Sequence, residues 1–380
     1  MKTEAKKKKL GLYIHIPFCV QKCFYCDFCS FAGASEQISE YVERICADIQ
    51  NWSLRCGGLD VDTVYFGGGT PTLLSASDFY RITDCINKYY SVCDSAEISC
   101  ECNPATADLE YLRKIRSSGI NRLSIGLQSS HDNELARLGR IHGFSDFLKT
   151  YEDSRLAGFE NVSVDLMYGI PEQTLVSFAE TLERIVSLDP EHISAYGLKI
   201  EEGTPFGKMK ASLVLPNEDA EYDMYMKLTH FLAENGYTKY EISNFSHLGY
   251  ESRHNMRYWK GEDYLGFGVS AHSYFEGERL ANSRDIGAYL LGEDITESKR
   301  EIGESERETE FVMLRMRMSE GVNKQEFADS FKKDFDSCYG KALKKYINAG
   351  FVADNGYNTF FTDKGFFVSN YILSDILDFD

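Results

Sequence analysis

The sequence predicts an α/β fold: an incomplete parallel β/α (TIM-like) barrel of about six repeats, followed by a mostly helical, winged-helix-like C-terminal domain. Three observations predict it. Short β-rich runs alternate with longer amphipathic runs through roughly the first two hundred residues. Ser, Thr or Asp caps precede several of the amphipathic runs, and Gly follows them, as at Gly119 and Gly158. The polar clusters all stand at the C-terminal ends of the β-rich runs, the catalytic face of a barrel.

The expected strands are Leu10–Ile16, Val61–Phe66, Ala96–Glu101, Arg122–Gln128, Val162–Tyr168 and His192–Ile200. Helices are expected at Glu36–Leu54, where Ile38, Tyr41, Val42, Ile45 and Ile49 share one face, and near Ser77–Tyr89, Asp108–Ser117, Phe144–Ala157 and Ser177–Ser187. Repeated β–α units imply right-handed crossovers and a parallel sheet. A flat doubly wound sheet has nearly the same periodicity, and the position of the motifs favours the barrel. The barrel is assigned to residues 1–205.

The rhythm breaks after Gly203-Thr204-Pro205. Residues 206–296 read as an extension packing on the barrel: a helix near Asn217–Asn235, a strand at Lys239–Ile242, an aromatic- and Gly-rich stretch from Tyr250, and a hairpin at Phe275–Arg279. A charged link from Glu297 to Glu310 leads to the C-terminal domain, residues 297–380. There, helices at Phe311–Met318, Lys324–Lys332 and Tyr339–Ala349 precede a hairpin around Asp354-Asn355-Gly356 and a closing helix. Such an arrangement resembles a winged helix.

DNA binding does not follow from it. The net charge of −18 and the acidic tail from Asp375 to Asp380 argue against nucleic acid and anionic lipid as partners. The basic block Lys6–Lys9 reads as a solvated terminus. No apolar stretch reaches the roughly 20 residues of a spanning helix, and no signal-peptide core follows the basic start. Eleven cysteines in a long chain with 43% hydrophobic residues do not make a disulfide scaffold. Cys46, Cys56, Cys85, Cys93 and Cys338 read as reduced packing residues, which implies a reducing compartment, the cytoplasm.

Cys19, Cys23 and Cys26 form a CxxxCxxC motif inside LGLYIHIPFCVQKCFYCDFCSF. Three thiolates on one short loop can each hold one iron of a four-iron cluster and leave the fourth without a protein ligand. Clusters used only for electron transfer usually take four cysteines, and an open metal position is where a small molecule binds. Strand two ends in Gly67-Gly68-Gly69-Thr70-Pro71, where missing side chains admit close approach and successive amides can cradle an anion. Strand three ends at Glu101 and strand four at Gln128; strand five carries Asp165, and Arg140 follows strand four.

With these residues and the segments YIHIPFC, FGGGTPT, ECNP, RLSIGLQS, LGRIH, VDLMYGIPEQT, YEISNF, RHNMRYW and TDKGFFVSN, the chain resembles the oxygen-independent coproporphyrinogen III oxidase family of radical SAM proteins over its whole length. The resemblance implies a [4Fe-4S] cluster held by Cys19, Cys23 and Cys26, with S-adenosylmethionine (SAM) on the open iron. It implies that Tyr13 and Tyr25 line the cluster and SAM, and that Gly68, Gly69 and Thr70 meet the methionyl end. Glu101, Gln128, Arg140 and Asp165 complete the SAM pocket; carboxylates suit the amino and ribose groups and Arg suits the carboxylate.

The family has two branches. The oxidase, which converts two propionates of coproporphyrinogen to vinyls, resembles CxxxCxxCxC and carries a longer N-terminal extension. Here Phe28 occupies the position of the extra Cys, Cys29 is offset by one, and Cys19 has only 18 residues before it. CDF followed by a small residue and Ser, together with RHNxxYW and YEISNF, is similar to the other branch, heme chaperones that pass heme to respiratory hemoproteins. That resemblance implies heme as a ligand, acceptor hemoproteins, some membrane-bound, as partners, and room for a homodimer. His254 in HNMRYW is the heme-ligand candidate, with Tyr258 and Trp259 against the porphyrin face; the competing reading is a histidine that fixes a loop by hydrogen bonds. His272 and His142 are further candidates, and His15 orients the cysteine loop. Three functions remain open on sequence: a heme chaperone, a SAM-dependent porphyrinogen decarboxylase, and another radical SAM protein acting on tetrapyrroles.

Overall fold

The computed structural model describes residues 8–56 and 58–377. Lys6 and Lys7 of the basic block, and residues 378–380 of the acidic tail, lie outside them. The barrel strands are β1 (Lys9–Ile16), β2 (Asp60–Gly68), β3 (Ser91–Cys102), β4 (Arg122–Gln128), β5 (Val162–Tyr168) and β6 (His192–Gly197). They pair in parallel and in chain order. All seven residues of β4 are buried, as a strand covered on both faces requires. The helices between strands start on the expected caps: Asp108 accepts from Tyr111 N, and Ser75 and Thr174 form capping boxes.

The barrel is partial. On the far side of β6 the chain adds the short antiparallel strands β7 (Thr238–Lys239) and β8 (Asn244–Ser246). On the far side of β1 it adds β9 (Tyr264–Phe267), parallel to β1, and then β10 (His272–Phe275), β11 (Glu278–Asn282) and β12 (Thr296–Glu301). The sheet order is therefore linear, β12-β11-β10-β9-β1-β2-β3-β4-β5-β6-β8-β7, with two free edges among the described residues.

Two expectations change here. Residues Glu297–Glu310 are no link: Thr296–Glu301 is an edge strand, and the first C-terminal helix begins at Glu304. All six residues of β12 are exposed, so the strand lacks the apolar alternation that sequence reading needs. It is held by its ladder to β11 and by Lys299 against Glu278, and its charges discourage edge-to-edge pairing. The strand expected at Lys239–Ile242 shrinks to Thr238–Lys239.

The bottom of the barrel is closed by the helix Arg253–Trp259. Ser252 caps it, and the Glu97 carboxylate accepts from the backbone N–H groups of Arg253 and His254 at 3.1 Å each. Arg257, 3% exposed, pairs with Asp62 near the start of β2 and donates to the carbonyls of Lys9 and Asp263. Gly11 lets the guanidinium in: a Cβ there would lie 2.5 Å from Arg257 Cδ.

The C-terminal part has helices Glu304–Met316, Lys324–Phe331 and Phe335–Asn348 around a small sheet of β13 (Val322–Asn323), β14 (Val352–Asp354) and β15 (Asn358–Phe361), a winged-helix-like arrangement. It is tied to the β7 edge by Lys239, whose ammonium pairs with Asp363, bonds Tyr225 Oη at 3.2 Å and lies 4.2 Å from the centre of the Phe366 ring. No helix among the described residues is long and apolar enough to cross a membrane.

Leaving a buried charge alone costs about 3–5 kcal/mol, but Asp62 also has the more exposed Arg253 at 3.5 Å and Lys9 at 3.7 Å, which offset part of that cost. Arg257→Ala should lower unfolding stability in urea toward the lower end of that range, by about 3 kcal/mol, and Arg257→Met with Asp62→Leu should restore most of it. A single variant within 1 kcal/mol of wild type, as surface changes usually are, would show that the floor helix does not depend on the pair.

Candidate functional site

A cavity of about 860 Å³ opens at the C-terminal ends of the strands and runs down the barrel interior. Its lining includes Tyr13, Cys19, Cys23, Tyr25, Cys26, Gly68, Gly69, Thr70, Glu101, Gln128, Arg140 and Asp165. The twelve residues expected to hold or line the cluster and SAM thus face one space, and His254 does not.

The cysteine loop is laced to its surroundings. Phe18–Cys19 pairs with Phe31–Ala32 and closes the loop at its base. Thr70 Oγ1 donates to Cys19 Sγ at 3.5 Å and accepts from Asn103 Nδ2 at 2.8 Å. Arg140 donates to Cys23 Sγ at 3.5 Å, to Asn103 Oδ1 at 3.0 Å and to the carbonyl of Gly126 at 2.7 Å. Burial pushes the Cys26 thiol up. Among the described residues no three His, Cys, Asp or Glu side chains converge as they would on a single ion. Three thiolates that each hold a separate iron of a cube need no such convergence, and the all-sulfur donor set suits an iron–sulfur cluster.

The glycine turn departs from the expected anion cradle. Its amides are taken: Gly68 N donates to Glu101 Oε2 at 3.1 Å, Gly69 N to the Ile16 carbonyl at 2.8 Å and Thr70 N to the Phe18 carbonyl at 2.7 Å. The glycines serve close packing instead. A Cβ on Gly69 would sit 2.7 Å from the Phe18 carbonyl and 3.1 Å from Cys19 Sγ, and Gly68 adopts a φ of +114° over the His15 ring.

Deeper in the cavity, Glu101 accepts from Tyr65 Oη at 3.0 Å, and Asp165 accepts from Ser124 Oγ at 2.9 and 3.1 Å. Burial, then the Asp165 charge, lifts the Glu101 carboxyl to about 7. Burial also raises Asp165. Gln128 sits at a register shift with a φ of +76°, a conformation rare for a residue with a side chain. Tyr25 is hydrogen-bonded to Arg140. Tyr13 Oη lies 3.0 Å from His15 Nδ1, and His15 Nε2 lies 2.9 Å from the Cys29 carbonyl. His15 thus braces the loop, as expected. Cys29 itself is 6% exposed and packs in the main apolar core.

His254 lies under the cavity, fully buried in the floor helix. Its Nδ1 is bonded to Thr63 Oγ1 at 2.9 Å and its Nε2 to Tyr258 Oη at 2.8 Å. Burial, with Arg257 and Arg122 nearby, drops its pKa to about 3. The ring stacks 5.3 Å from Tyr65. With both nitrogens engaged, this is the geometry of a histidine that fixes a loop, not of a free metal ligand. His142 is buried behind β4 with Nε2 3.4 Å from the Leu127 carbonyl, whereas His272 is exposed and lines the cavity.

Sequence reading missed Tyr65, Asn103, Arg122 and the serines around Asp165, all lining the cavity or bonded to residues that do. The signal was present in the alternation Arg122, Ser124, Gly126, Gln128, which puts four residues on one face of β4. Arg122, 2% exposed, has an Nε without a hydrogen-bond partner.

Comparison with known proteins follows the same division. A family model described as the radical SAM superfamily matches residues 13–185, and one described as the HemN C-terminal domain matches residues 304–368. The chain is 34% identical to the heme chaperone HemW of Bacillus subtilis (strain 168) over 96% of its own length and 98% of that protein. It is 36% identical to the heme chaperone HemW of Escherichia coli (strain K12) over 85% of this chain and 86% of that one. The solved structure of coproporphyrinogen III oxidase (HemN) from Escherichia coli superposes with a TM-score of 0.86 over 98% of this chain and 91% of that chain, at 22% identity, a likeness of fold.

His254→Ala removes two buried hydrogen bonds and leaves a void, so it should lower stability by about 2–4 kcal/mol; an unaltered urea midpoint would mean the ring is not held as described. Glu101, raised from 4.5 to about 7, is protonated more in the folded than in the unfolded chain. Its contribution is complete below pH 4.5 and lost as pH rises through 7. The stability of Glu101→Gln relative to wild type should therefore increase from pH 5 to pH 8, by up to about 3 kcal/mol less what water in the cavity screens. Buried histidines slope the other way, and the comparison cancels them. A difference independent of pH would mean Glu101 is ionised throughout.

Proposed function

The chain belongs to the HemW family of heme chaperones within the radical SAM superfamily, and from that premise we propose that it holds a [4Fe-4S] cluster, SAM and heme and delivers the heme to acceptor hemoproteins. The observation that carries this reading is similarity to heme chaperones across 96% of the chain. The cavity is its chemical complement.

Cys19, Cys23 and Cys26 would each hold one iron, with Thr70 and Arg140 stabilising two of the thiolates. A cluster held this way supplies electrons and one open metal position. Around that position Arg140 suits the SAM carboxylate, while Glu101 and Asp165 suit its ribose hydroxyls and amino group. Because the amides of Gly68, Gly69 and Thr70 are spent on the protein, this turn meets the methionyl end through its carbonyls, which suit an ammonium. Tyr13, Tyr25 and Gln128 wall the space. Cys29, packed in the core, stays outside the ligand set. The protein would work in the cytoplasm, alone or as a homodimer, and hand heme to acceptors that include membrane-bound respiratory proteins.

Anaerobic reconstitution should give close to four irons per chain, and replacing Cys19, Cys23 and Cys26 together by Ala should abolish the cluster absorbance; a retained cluster would sink the ligand assignment. Cys29→Ala should leave the iron content unchanged. The function is tested by titrating the reconstituted protein with hemin, then adding an apo-cytochrome, and separately supplying SAM, reductant and coproporphyrinogen III. Tight hemin binding with transfer supports the chaperone. Decarboxylated porphyrinogen without hemin binding overturns it in favour of the oxidase.

A further inference from the structure

Two of the three loop sulfurs are reached by side chains that meet on a single residue, Asn103. Thr70 Oγ1 lies 3.5 Å from Cys19 Sγ, and Arg140 Nη1 lies 3.5 Å from Cys23 Sγ. Asn103 stands between the two donors. Its Nδ2 is 2.8 Å from Thr70 Oγ1, and its Oδ1 is 3.0 Å from Arg140 Nη2. The chain of bonds thus runs from Cys23 through Arg140, Asn103 and Thr70 to Cys19.

The direction of every hydrogen in this chain follows from the guanidinium, which has donors and no acceptor. Arg140 therefore claims the carbonyl oxygen of the Asn103 amide, and the NH2 group turns toward Thr70. The Thr70 hydroxyl accepts that bond on a lone pair, so its single hydrogen is left for Cys19. One amide aims a hydroxyl at one sulfur and steadies a guanidinium on another. The backbone of Asn103 is fixed without its side chain, because its carbonyl accepts from Thr106 N at 3.2 Å and from Thr106 Oγ1 at 2.6 Å.

Reduction of an iron–sulfur cluster adds negative charge that spreads onto its sulfurs, and hydrogen bonds to those sulfurs are among the factors that set its potential. A donor held in place stabilises the reduced state more than a hydroxyl free to rotate. We propose that Asn103 is a positioning residue for the cluster, raising its reduction potential by orienting the Thr70 hydroxyl on Cys19 and the Arg140 guanidinium on Cys23. The proposal rests on the assignment of the cluster to Cys19, Cys23 and Cys26 and adds to it a residue that holds no iron.

The test is an EPR-monitored redox titration, with dithionite and mediator dyes, of the reconstituted protein without SAM. Asn103→Ala should keep close to four irons per chain and lower the midpoint potential. At the wild-type midpoint the ratio of reduced to oxidised cluster should fall roughly three- to tenfold, the upper end being about 59 mV for one electron. Thr70→Val should lower the potential as well, and Thr70→Ser, which keeps the hydroxyl, should stay near the wild-type value. Because Asn103 acts partly through Thr70, Asn103→Ala should shift the potential less in the Thr70→Val background than in the wild type. If Asn103→Ala does not fold, the isosteric Asn103→Asp takes its place. Its carboxylate accepts from Thr70 and draws the hydroxyl hydrogen away from Cys19, so its shift should also shrink in the Thr70→Val background, whereas a shift from charge alone would be equal in both. A wild-type potential in Asn103→Ala with a full cluster, or shifts that simply add in the double variant, would overturn this role and leave the cluster assignment intact. A wild-type protein that reconstitutes no cluster would overturn both.

Discussion

The buried pair between Arg257 and Asp62 is the interaction on which the rest of the molecule depends. A parallel barrel normally fills its interior with branched apolar side chains. Here the inward positions include Glu97, Glu101, Arg122, Asp165 and His192, and such a column holds together only if its lower end is sealed from solvent. The seal is one short helix, too short to be stable by itself. Arg257 fixes it to β2 by charge and to the chain at Lys9 and Asp263 by hydrogen bonds, and Glu97 holds its N-terminus. His254 and Tyr258 then become part of the interior instead of part of the surface.

At the other end the problem is inverted. Three sulfurs must remain accessible on a loop of irregular backbone, and the fold meets this by tying the loop from outside. The glycine turn after β2 binds the carbonyls of Ile16 and Phe18, and Asn103 links Thr70 with Arg140, so strands β1 to β4 converge on the two ends of one loop. The glycine triplet is best understood as the residue choice that permits this contact.

The fold was largely legible because parallel strands and amphipathic helices carry strong periodicities. The bounds of β4 and β5 follow the sequence to the residue. Thr296–Glu301 was illegible because an exposed edge strand has no buried face to mark it. Of the site, the cysteines and strand-end polar residues were readable from type and position. Hydrogen-bond satisfaction was not: nothing in Gly67-Gly68-Gly69 says whether its amides are free, and nothing in HNMRYW says that both nitrogens of the histidine are already engaged.

The contact between His15 and the Cys29 carbonyl has a consequence for the polarity of the site. A carbonyl can only accept, so His15 Nε2 must carry the imidazole hydrogen and Nδ1 must be the lone-pair nitrogen. The Tyr13 hydroxyl therefore points its hydrogen at Nδ1 and turns only lone pairs toward the cavity. A backbone oxygen behind the loop thus sets the direction of a three-membered chain that ends on the ligand side, and any group that meets Tyr13 there must bring its own hydrogen.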